Sequence, residues 1–246
     1  MGALLLEYII EALKETTGVP ADAYAVKSIV SSELAARICE KNGVEMFNVL
    51  TGFKFIGEVI KKHELEGHGT FLLGFEESYG YLKGTYARDK DAVVASMLIC
   101  EMAAFYKIHG MTLADALEGV FEKYGYFKEN VFSIEMKGLG ASDKMKALML
   151  GLRENAPVDI AGRHVAEIRD YKDATIRSTS GGEVRSTGLP SSDVLYYVMD
   201  NRDVVVVRPS GTEPKVKVYI MTSGKTEADA DRSTEEYTTA MKALLA

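Results

Sequence analysis

The chain has 246 residues, of which 47% are hydrophobic and 26% charged, and its formal net charge is −7. This length and composition predict a packed core in one large or two ordinary domains, and they exclude disorder and fibrous repeats. The acidic balance argues against nucleic acid or an anionic membrane as the main partner. Glu7 and Glu11 interrupt the apolar start, and no run reaches the roughly 20 apolar residues of a membrane span. We therefore expect a cytoplasmic protein without a signal peptide.

Helix and strand patterns alternate through the first half of the chain. Apolar residues recur at helical spacing, with β-branched runs between them. Thr112 and Asp115 predict a capping box, and Gly125 predicts the end of that helix. The expected helices are one at 3–17, one capped at Ser31, one that includes residues 55–60, one that includes residues 94–105 and one that starts at Thr112. The expected strands are at 23–30, 46–50 and 70–75. This series predicts a three-layer α/β domain with a mixed sheet.

After Gly125 the pattern changes to one rich in strands. The expected elements are strands at 130–136, 164–171, 194–199, 204–207 and 216–221, with helices at 142–154 and 226–245. We predict a smaller α+β domain here, with an antiparallel sheet and helices on one face. The domain boundary is expected within 124–128, which gives domains at 1–125 and 126–246.

The first segment that could carry chemistry is residues 74–80, called here the acidic loop, which reads Gly-Phe-Glu-Glu-Ser-Tyr-Gly. It follows a predicted strand, and ligands of α/β sheets bind beyond such strand ends. Glu76, Glu77 and Ser78 could share hydrogen bonds with the vicinal hydroxyls of a sugar. The alternative is a solvated turn.

A basic segment, residues 88–91, is predicted to begin the next helix. Arg88 and Lys90 would oppose the helix dipole there, at a cost of about 0.3 to 1 kcal/mol each. An anionic ligand held by these cations and the helix amides would explain them. The alternative is that Asp89 and Asp91 satisfy the dipole and the cations pair with them.

The Arg208 loop, residues 208–215, reads Arg-Pro-Ser-Gly-Thr-Glu-Pro-Lys and joins two predicted strands. The guanidinium of Arg208 offers a planar fork for phosphate oxygens, and Ser210 and Thr212 add hydroxyls. Backbone amides of residues 210–212 could form an anion-binding nest that Gly211 permits. A plain hairpin turn is the alternative.

Other motifs match known sites only weakly. Ser223 to Thr226 resembles the end of a phosphate-binding loop, and Gly138 to Asp143 resembles part of a dinucleotide fingerprint, but each lacks a required glycine. A helix cap by Thr226 and a turn are expected instead. No metal site is predicted, because the four histidines share no ligand spacing and are expected in exposed or capping roles. They are His63, His68, His109 and His164.

The three loops occur in an order and spacing that resemble the α-D-phosphohexomutases. Residues 51–57, which read Thr-Gly-Phe-Lys-Phe-Ile-Gly, and the strand lysine Lys27 are also similar to the third domain of that family. The resemblance covers the whole chain as domains three and four of a four-domain enzyme. It implies substrate contacts by Lys27, Glu76, Ser78, Arg88, Arg208, Ser210, Gly211 and Thr212. It also implies proton transfer or charge stabilisation by Lys90.

Enzymes of this family interconvert hexose 1-phosphate and hexose 6-phosphate through a phosphoserine and a bisphosphate. The sequence contains neither a nucleophile loop like Thr-Ala-Ser-His-Asn-Pro nor a metal loop like Asp-Gly-Asp-x-Asp-Arg. The resemblance therefore implies that Mg²⁺ is bound by N-terminal domains absent here, that glucose 1,6-bisphosphate is the intermediate, and that this chain is inactive alone. A free-standing sugar-phosphate sensor and a nucleotide-binding protein are the alternatives, and the preferred hexose stays open.

Overall fold

Helices and strands alternate through residues 1–125 of the computed structural model, which describes residues 1–245. The first compact unit ends at Gly125, and the second begins at Tyr126. The elements of the first unit are α1 (Gly2–Glu15), β1 (Ala23–Ser28), α2 (Glu33–Asn42), β2 (Glu45–Val49), α3 (Phe53–Glu66), β3 (Thr70–Phe75), β4 (Tyr81–Leu82), α4 (Ala92–Ile108) and α5 (Leu113–Tyr124).

The sheet of the first unit has the order β2-β1-β3-β4. β1 pairs in parallel with β2 and β3, whereas β4 is antiparallel to β3. The strand β1 is buried along its whole length, as expected of a parallel strand covered on both faces. This mixed sheet confirms the predicted fold class.

Helices cover both faces of this sheet. At Gly74 in β3, an added Cβ atom would lie 2.6 Å from Ile56 of α3, whereas the neighbouring Phe75 ring lies against Gly2 of α1. Successive strand residues point to opposite faces, so α3 and α1 lie on opposite sides of the sheet. The core between α3 and the sheet contains Tyr24, Val26, Val49, Phe53, Ile56, Ile60, Phe71 and Leu82.

The second unit is built on one antiparallel sheet with the order β5-β12-β11-β10-β7-β8-β9, and β6 pairs with β7. Its elements are β5 (Tyr126–Glu135), α6 (Ala141–Glu154), β6 (Asp159–Ile160), β7 (Arg163–Asp170), β8 (Thr175–Ser178), β9 (Arg185–Ser186), β10 (Leu195–Met199), β11 (Val204–Pro209), β12 (Lys215–Gly224) and α7 (Glu227–Leu244).

Both helices of the second unit pack on one face of its sheet. Alternate strand residues such as Val205, Val207 and Val216 share a core with Met149 of α6 and Tyr237 of α7. The period of two along each strand therefore directs Val205, Val207 and Val216 toward the helices and the intervening residues away from them. The predicted antiparallel sheet with helices on one face is confirmed.

Side-chain hydrogen bonds cap the N-terminal ends of several helices. The Thr112 hydroxyl accepts a hydrogen bond from the Asp115 amide, and the Asp115 carboxylate accepts one from the Thr112 amide, so the predicted capping box is present. Thr226 caps α7 as predicted. The predicted cap of α2 was wrong by one residue, because the Ser32 side chain, and not that of Ser31, accepts a hydrogen bond from the Leu34 amide.

His63 and Cys39 are buried in the first unit, whereas Cys100 is exposed. The prediction of an exposed or capping role was wrong for His63, which is buried with its ring stacked 4.1 Å from that of Tyr24. Cys39 is buried in α2, and Cys100 is exposed on α4. Burial raises the pKa of the Cys39 thiol to about 12, against the opposing charge of Lys27.

Among the described residues, no single helix is long and apolar enough to cross a membrane. The helices α4 and α5 pass that test only as a pair bent by 83°.

Candidate substrate-binding loops

The acidic loop forms the connection of the β3–β4 hairpin. The Glu76 amide donates to the Gly80 carbonyl at 2.9 Å, so only residues 77–79 cross between the strands. The Glu76 side chain is buried, and its Oε1 accepts a hydrogen bond of 2.6 Å from the Gly52 amide at the start of α3. A carboxylate is favoured at that helix end by the dipole. One oxygen of Glu76 is therefore fixed, and the other is not bonded to any described residue.

The other polar residues of the acidic loop differ in how they are held. Glu77 accepts a hydrogen bond of 2.9 Å from the hydroxyl of Ser28, at the end of β1. The Ser28 hydroxyl in turn lies 2.8 Å from that of Ser31, and both serines are buried. Ser78 is exposed, and its hydroxyl bonds to no described residue. The loop is thus anchored by Glu77 and presents Ser78 to solvent.

Lys90 lies beside the acidic loop. Its ammonium group is 3.0 Å from Asp89 and 5.8 Å from the centre of the Phe53 ring, and its side chain is 58% exposed. Any Cβ atom at Gly80 would lie 3.2 Å from the Lys90 side chain, so glycine lets the lysine pack close. The Lys90 side chain therefore lies against Gly80, at the end of the acidic loop.

The basic segment lies at the start of α4, and its last residue, Asp91, caps the helix. The Asp91 carboxylate accepts hydrogen bonds from the Val93 and Val94 amides, at 2.8 and 3.1 Å, and caps the helix. A hydrogen bond from Tyr86 and those helix amides hold the pKa of the Asp91 carboxyl below its usual value. Residues 88–91 thus lie at the start of the helix, as expected, with Asp91 as the cap and Ala92 as the first helical residue. This arrangement fits the alternative in which Asp91 satisfies the helix dipole and Lys90 pairs with Asp89.

Arg88 and Lys27 are both engaged by the protein. Arg88 forms an ion pair with Glu64 and donates to the Thr85 carbonyl. Lys27 is fully buried, and its ammonium donates to the Ser31 carbonyl at 3.0 Å and to Glu33 at 2.9 Å. Direct substrate contact by either cation would require these bonds to be exchanged.

The Arg208 loop forms the turn of the β11–β12 hairpin. The Ser210 amide donates to the Lys215 carbonyl at 2.8 Å, and the Ser210 hydroxyl accepts from the Thr212 and Glu213 amides at 3.4 and 3.3 Å. Gly211 does not adopt a positive φ, so the expected nest that depends on its left-handed conformation is absent. Open space surrounds the Gly211 Cα, and the absence of a side chain leaves the backbone accessible.

Two cations lie side by side at the base of this hairpin. Arg208 in β11 is directly opposite Lys217 in β12, and such pairs project to the same face with Cβ atoms about 5 Å apart. Their charged groups form no ion pair or hydrogen bond with another described residue, whereas Lys215 is paired with Glu213 at 2.5 Å. Like charges opposite each other destabilise a sheet unless an anion lies between them.

An open depression of about 380 Å³ adjoins the Arg208 loop within the second unit. It is lined by loop residues and by the start of α6, namely Ala141, Ser142, Met145, Gly211, Thr212, Glu213 and Pro214. Gly138 and Gly140 both have a positive φ and form a turn just before that helix. This is the turn that the sequence predicted there in place of a dinucleotide-binding loop.

Sequence reasoning missed Lys217 and Ser28, and it singled out Gly52 only as part of the segment 51–57. Lys217 lies outside the motif, and its position depends on strand register, although counting outward from the turn would have paired it with Arg208. Ser28 and Gly52 act through contacts with Glu77 and Glu76, which are 49 and 24 residues away in sequence. No local pattern marks such contacts.

Comparison with known proteins identifies the class to which this pair of units belongs. The model for "Phosphoglucomutase/phosphomannomutase, alpha/beta/alpha domain III" matches residues 1–124, and the model for the C-terminal domain of the same enzymes matches residues 155–238. The two units thus have the architecture of the last two domains of phosphohexomutases. The chain belongs to the phosphoglucomutase/phosphomannomutase family.

Phosphoglucomutases of similar sequence agree with this assignment. The chain is 38% identical over 220 residues to a phosphoglucomutase of Staphylococcus aureus strain bovine RF122 / ET3-1, and 37% identical to that of strain MRSA252. Each alignment covers 89% of this chain but 39% of the relative. The chain therefore spans about two fifths of the length of these enzymes.

Solved structures support the fold. The exocytosis-sensitive phosphoprotein pp63/parafusin, a phosphoglucomutase from Paramecium, matches 98% of this chain over 41% of its own length, with a TM-score of 0.66 and 18% identity. A phosphoglucomutase/phosphomannomutase family protein from Burkholderia thailandensis matches 99% of this chain over 41% of its own length, with a TM-score of 0.56 and 17% identity.

Proposed function

We propose that this chain is the substrate-recognising half of a phosphohexomutase that interconverts hexose 1-phosphate and hexose 6-phosphate. The acidic loop binds sugar hydroxyls, and the Arg208 loop binds the phosphate that is not being transferred. The two orientations of the substrate alternate as the bisphosphate intermediate, glucose 1,6-bisphosphate in the case of glucose, turns over.

The pair of cations at Arg208 and Lys217 carries this proposal. Two adjacent positive groups that form no ion pair with any residue among 1–245 stand out in a chain of net charge −7. A phosphate would bridge them, accept the planar fork of Arg208 and receive hydrogen bonds from the hydroxyls of Ser210 and Thr212. The amide at Gly211, which no side chain shields, adds a donor at the same loop.

The acidic loop supplies the sugar-binding role. The Gly52 amide fixes one oxygen of Glu76 and so orients the carboxylate. Its second oxygen and the exposed hydroxyl of Ser78 are then free to bond with neighbouring sugar hydroxyls. A site that pairs each substrate hydroxyl discriminates strongly against analogues that lack one.

Three cations near the acidic loop are assigned different parts. Lys90, which is exposed beside the loop, stabilises charge or transfers a proton at the reacting hydroxyl. Arg88 and Lys27 are ion-paired with Glu64 and Glu33 before substrate binds, and they contact substrate only after exchanging those partners.

Phosphoryl transfer itself is assigned to the part of the enzyme that the relatives carry beyond this chain. Among residues 1–245, no three His, Cys, Asp or Glu side chains are grouped to hold a metal ion, so the described residues do not fit Mg²⁺. The sequence likewise contains no loop resembling the nucleophile loop of the family. We therefore expect the chain alone to bind hexose phosphate without converting it.

Calorimetry with glucose 1-phosphate tests the proposal. Arg208→Ala and Lys217→Ala should each weaken binding by about 10- to 100-fold, because a charge-assisted hydrogen bond contributes about 1.5 to 3 kcal/mol. Arg208→Lys should restore part of the affinity, since it keeps the charge but loses the fork.

Lys128→Ala is the matched control, because Lys128 lies in the same unit but is paired with Asp231 at 2.8 Å. Its affinity should equal that of the unchanged chain. Equal binding by the Arg208 variant and the control would reject the phosphate role. Conversion of glucose 1-phosphate to glucose 6-phosphate by the purified chain would reject the assignment of catalysis to the missing part.

A further inference from the structure

Tyr79 occupies a backbone position that normally belongs to glycine. It is the last of the three residues that cross the β3–β4 hairpin, and its φ is +64°. Three-residue hairpins commonly end in a left-handed residue, for which glycine is favoured because it has no Cβ atom. In this chain the glycine, Gly80, comes one position later, and its φ is not positive.

Contacts within the protein do not compensate for this conformation. A left-handed backbone is unfavourable for tyrosine because its Cβ atom approaches the following carbonyl oxygen. The Tyr79 side chain is nevertheless 86% exposed, so it buries little apolar surface in return. Residues held in such a strained conformation cluster at ligand-binding and active sites, where the strain is part of the function.

The neighbours of Tyr79 indicate what that partner is. Ser78 precedes it with an exposed hydroxyl, and Glu76 is held two residues further back by the Gly52 amide. These groups suit the hydroxyl edge of a sugar, whereas the apolar face of a pyranose ring, which carries C–H groups, suits an aromatic surface. The tyrosine ring has an apolar body, which matches that face of the sugar.

We propose that Tyr79 is a specificity-determining residue, which presents its ring to one face of the bound hexose while Glu76 and Ser78 hold its hydroxyls. This inference rests on the proposed hexose phosphate function and deepens it. The left-handed backbone fixes the ring at the tip of the acidic loop. The sugar ring supplies the apolar contact that the folded chain lacks at this position.

Tyr79→Gly and Tyr79→Phe separate the backbone effect from the ring. Tyr79→Gly should raise the melting temperature, because glycine adopts this φ without strain. It should also weaken binding of glucose 1-phosphate by about tenfold, as expected when an aromatic contact is lost, and leave binding of inorganic phosphate unchanged. Tyr79→Phe keeps the ring and should bind glucose 1-phosphate like the unchanged chain.

Arg202→Gly is the matched control for strain. Arg202 is exposed in the second unit, with a φ of +71°. Its replacement should raise the melting temperature without changing the affinity for glucose 1-phosphate. Weakened binding in this variant would show that strain relief alone lowers affinity, and it would overturn the role of the Tyr79 ring.

The remaining outcomes distinguish the two proposals. If Glu76→Ala weakens binding of glucose 1-phosphate but Tyr79→Gly does not, the inference about Tyr79 is overturned and the proposed function stands. If Tyr79→Phe loses as much affinity as Tyr79→Gly, contact through the ring is overturned. If the unchanged chain binds no hexose phosphate, the proposed function fails and the role of Tyr79 fails with it.

Discussion

Asp203, just before β11, is a buried carboxyl group held by two donors. It accepts hydrogen bonds from the Ser223 amide at 2.9 Å and from the Asn201 side-chain amide at 2.7 Å. Burial raises the pKa of this carboxyl above its usual value, although these two donors, the Tyr237 hydroxyl and the charge of Arg163 act in the opposite direction. The loss of hydration thus outweighs all of these interactions with the charged form.

This shift predicts how stability depends on pH. The folded chain binds the Asp203 proton more tightly than the unfolded chain does. The contribution of Asp203 to stability is therefore full below the unfolded value of 3.8 and declines as pH rises through the higher folded value. The free energy of unfolding of the unchanged chain, measured in urea, should increase relative to that of Asp203→Asn as pH falls through this window.

Asp115→Asn is the control with the opposite sign. Hydrogen bonds from the Thr112 hydroxyl and amide lower the pKa of the Asp115 carboxyl. Its stabilising contribution is present above the unfolded pKa and is lost as pH falls through the folded value. A difference between Asp203→Asn and the unchanged chain that does not vary with pH would contradict the account of Asp203.

At the residue scale, sequence reasoning found the loops but not the state of their side chains. The residue types of Glu76, Ser78 and Arg208 predict polar binding because chemistry is local to a motif. The burial of Lys27 between Ser31 and Glu33, and the pairing of Arg88 with Glu64, depend on contacts formed by folding. The roles proposed for these residues in binding stay predictions.

At the scale of elements, two helical glycines have opposite surroundings. Gly57 lies inside α3, where an added Cβ atom would be 2.8 Å from the Arg88 carbonyl oxygen. Gly119 lies inside α5 with open space around it. Alanine is favoured over glycine in helices by about 0.8 to 1 kcal/mol, so only the surroundings can reverse the effect.

Gly57→Ala should therefore destabilise the first unit, whereas Gly119→Ala should stabilise it by about 0.5 to 1 kcal/mol. The clash at Gly57 involves backbone atoms, which cannot rotate away as a side chain can. Urea unfolding of both variants measures the difference. A stabilising effect of Gly57→Ala would show that α3 moves freely away from the segment before α4.

Elements were predictable where their signals lie close together in sequence. The box at Thr112 and the cap at Thr226 each use a partner three residues away. The short strands β8 and β9 were missed, because they are largely exposed and are defined by pairing with distant or neighbouring strands instead of by apolar alternation. The strand β5 begins at Tyr126, four residues before its predicted start, since pairing with β12 extends to Gly224.

At the scale of the whole molecule, each compact unit has its own hydrophobic core. The core at α3 lies within the first unit, and the core shared by α6, α7 and the antiparallel sheet lies within the second. We propose that Gly125, where α5 ends, separates two domains that fold independently. The change to a strand-rich pattern predicted a boundary within 124–128, and this stays a prediction.

Expression of residues 1–125 as a separate chain tests this proposal. It should unfold cooperatively in urea and retain its helical circular dichroism, because it contains β1 to β4 and the helices that cover both faces of their sheet. A chain cut after Val49 is the control, since it removes α3 and β3 and leaves β1 without one neighbour. Loss of cooperative unfolding in residues 1–125 would show that the units depend on each other.

The placement of the two cysteines has a consequence for the chain under oxidising conditions. Cys39 is inside α2 with a pKa of about 12, and Cys100 is exposed on α4. Thiolates are the species that react, so a folded molecule offers one sulfur to an oxidant. Oxidation of the native protein would therefore link separate molecules through Cys100, or cap that thiol, while Cys39 stays reduced.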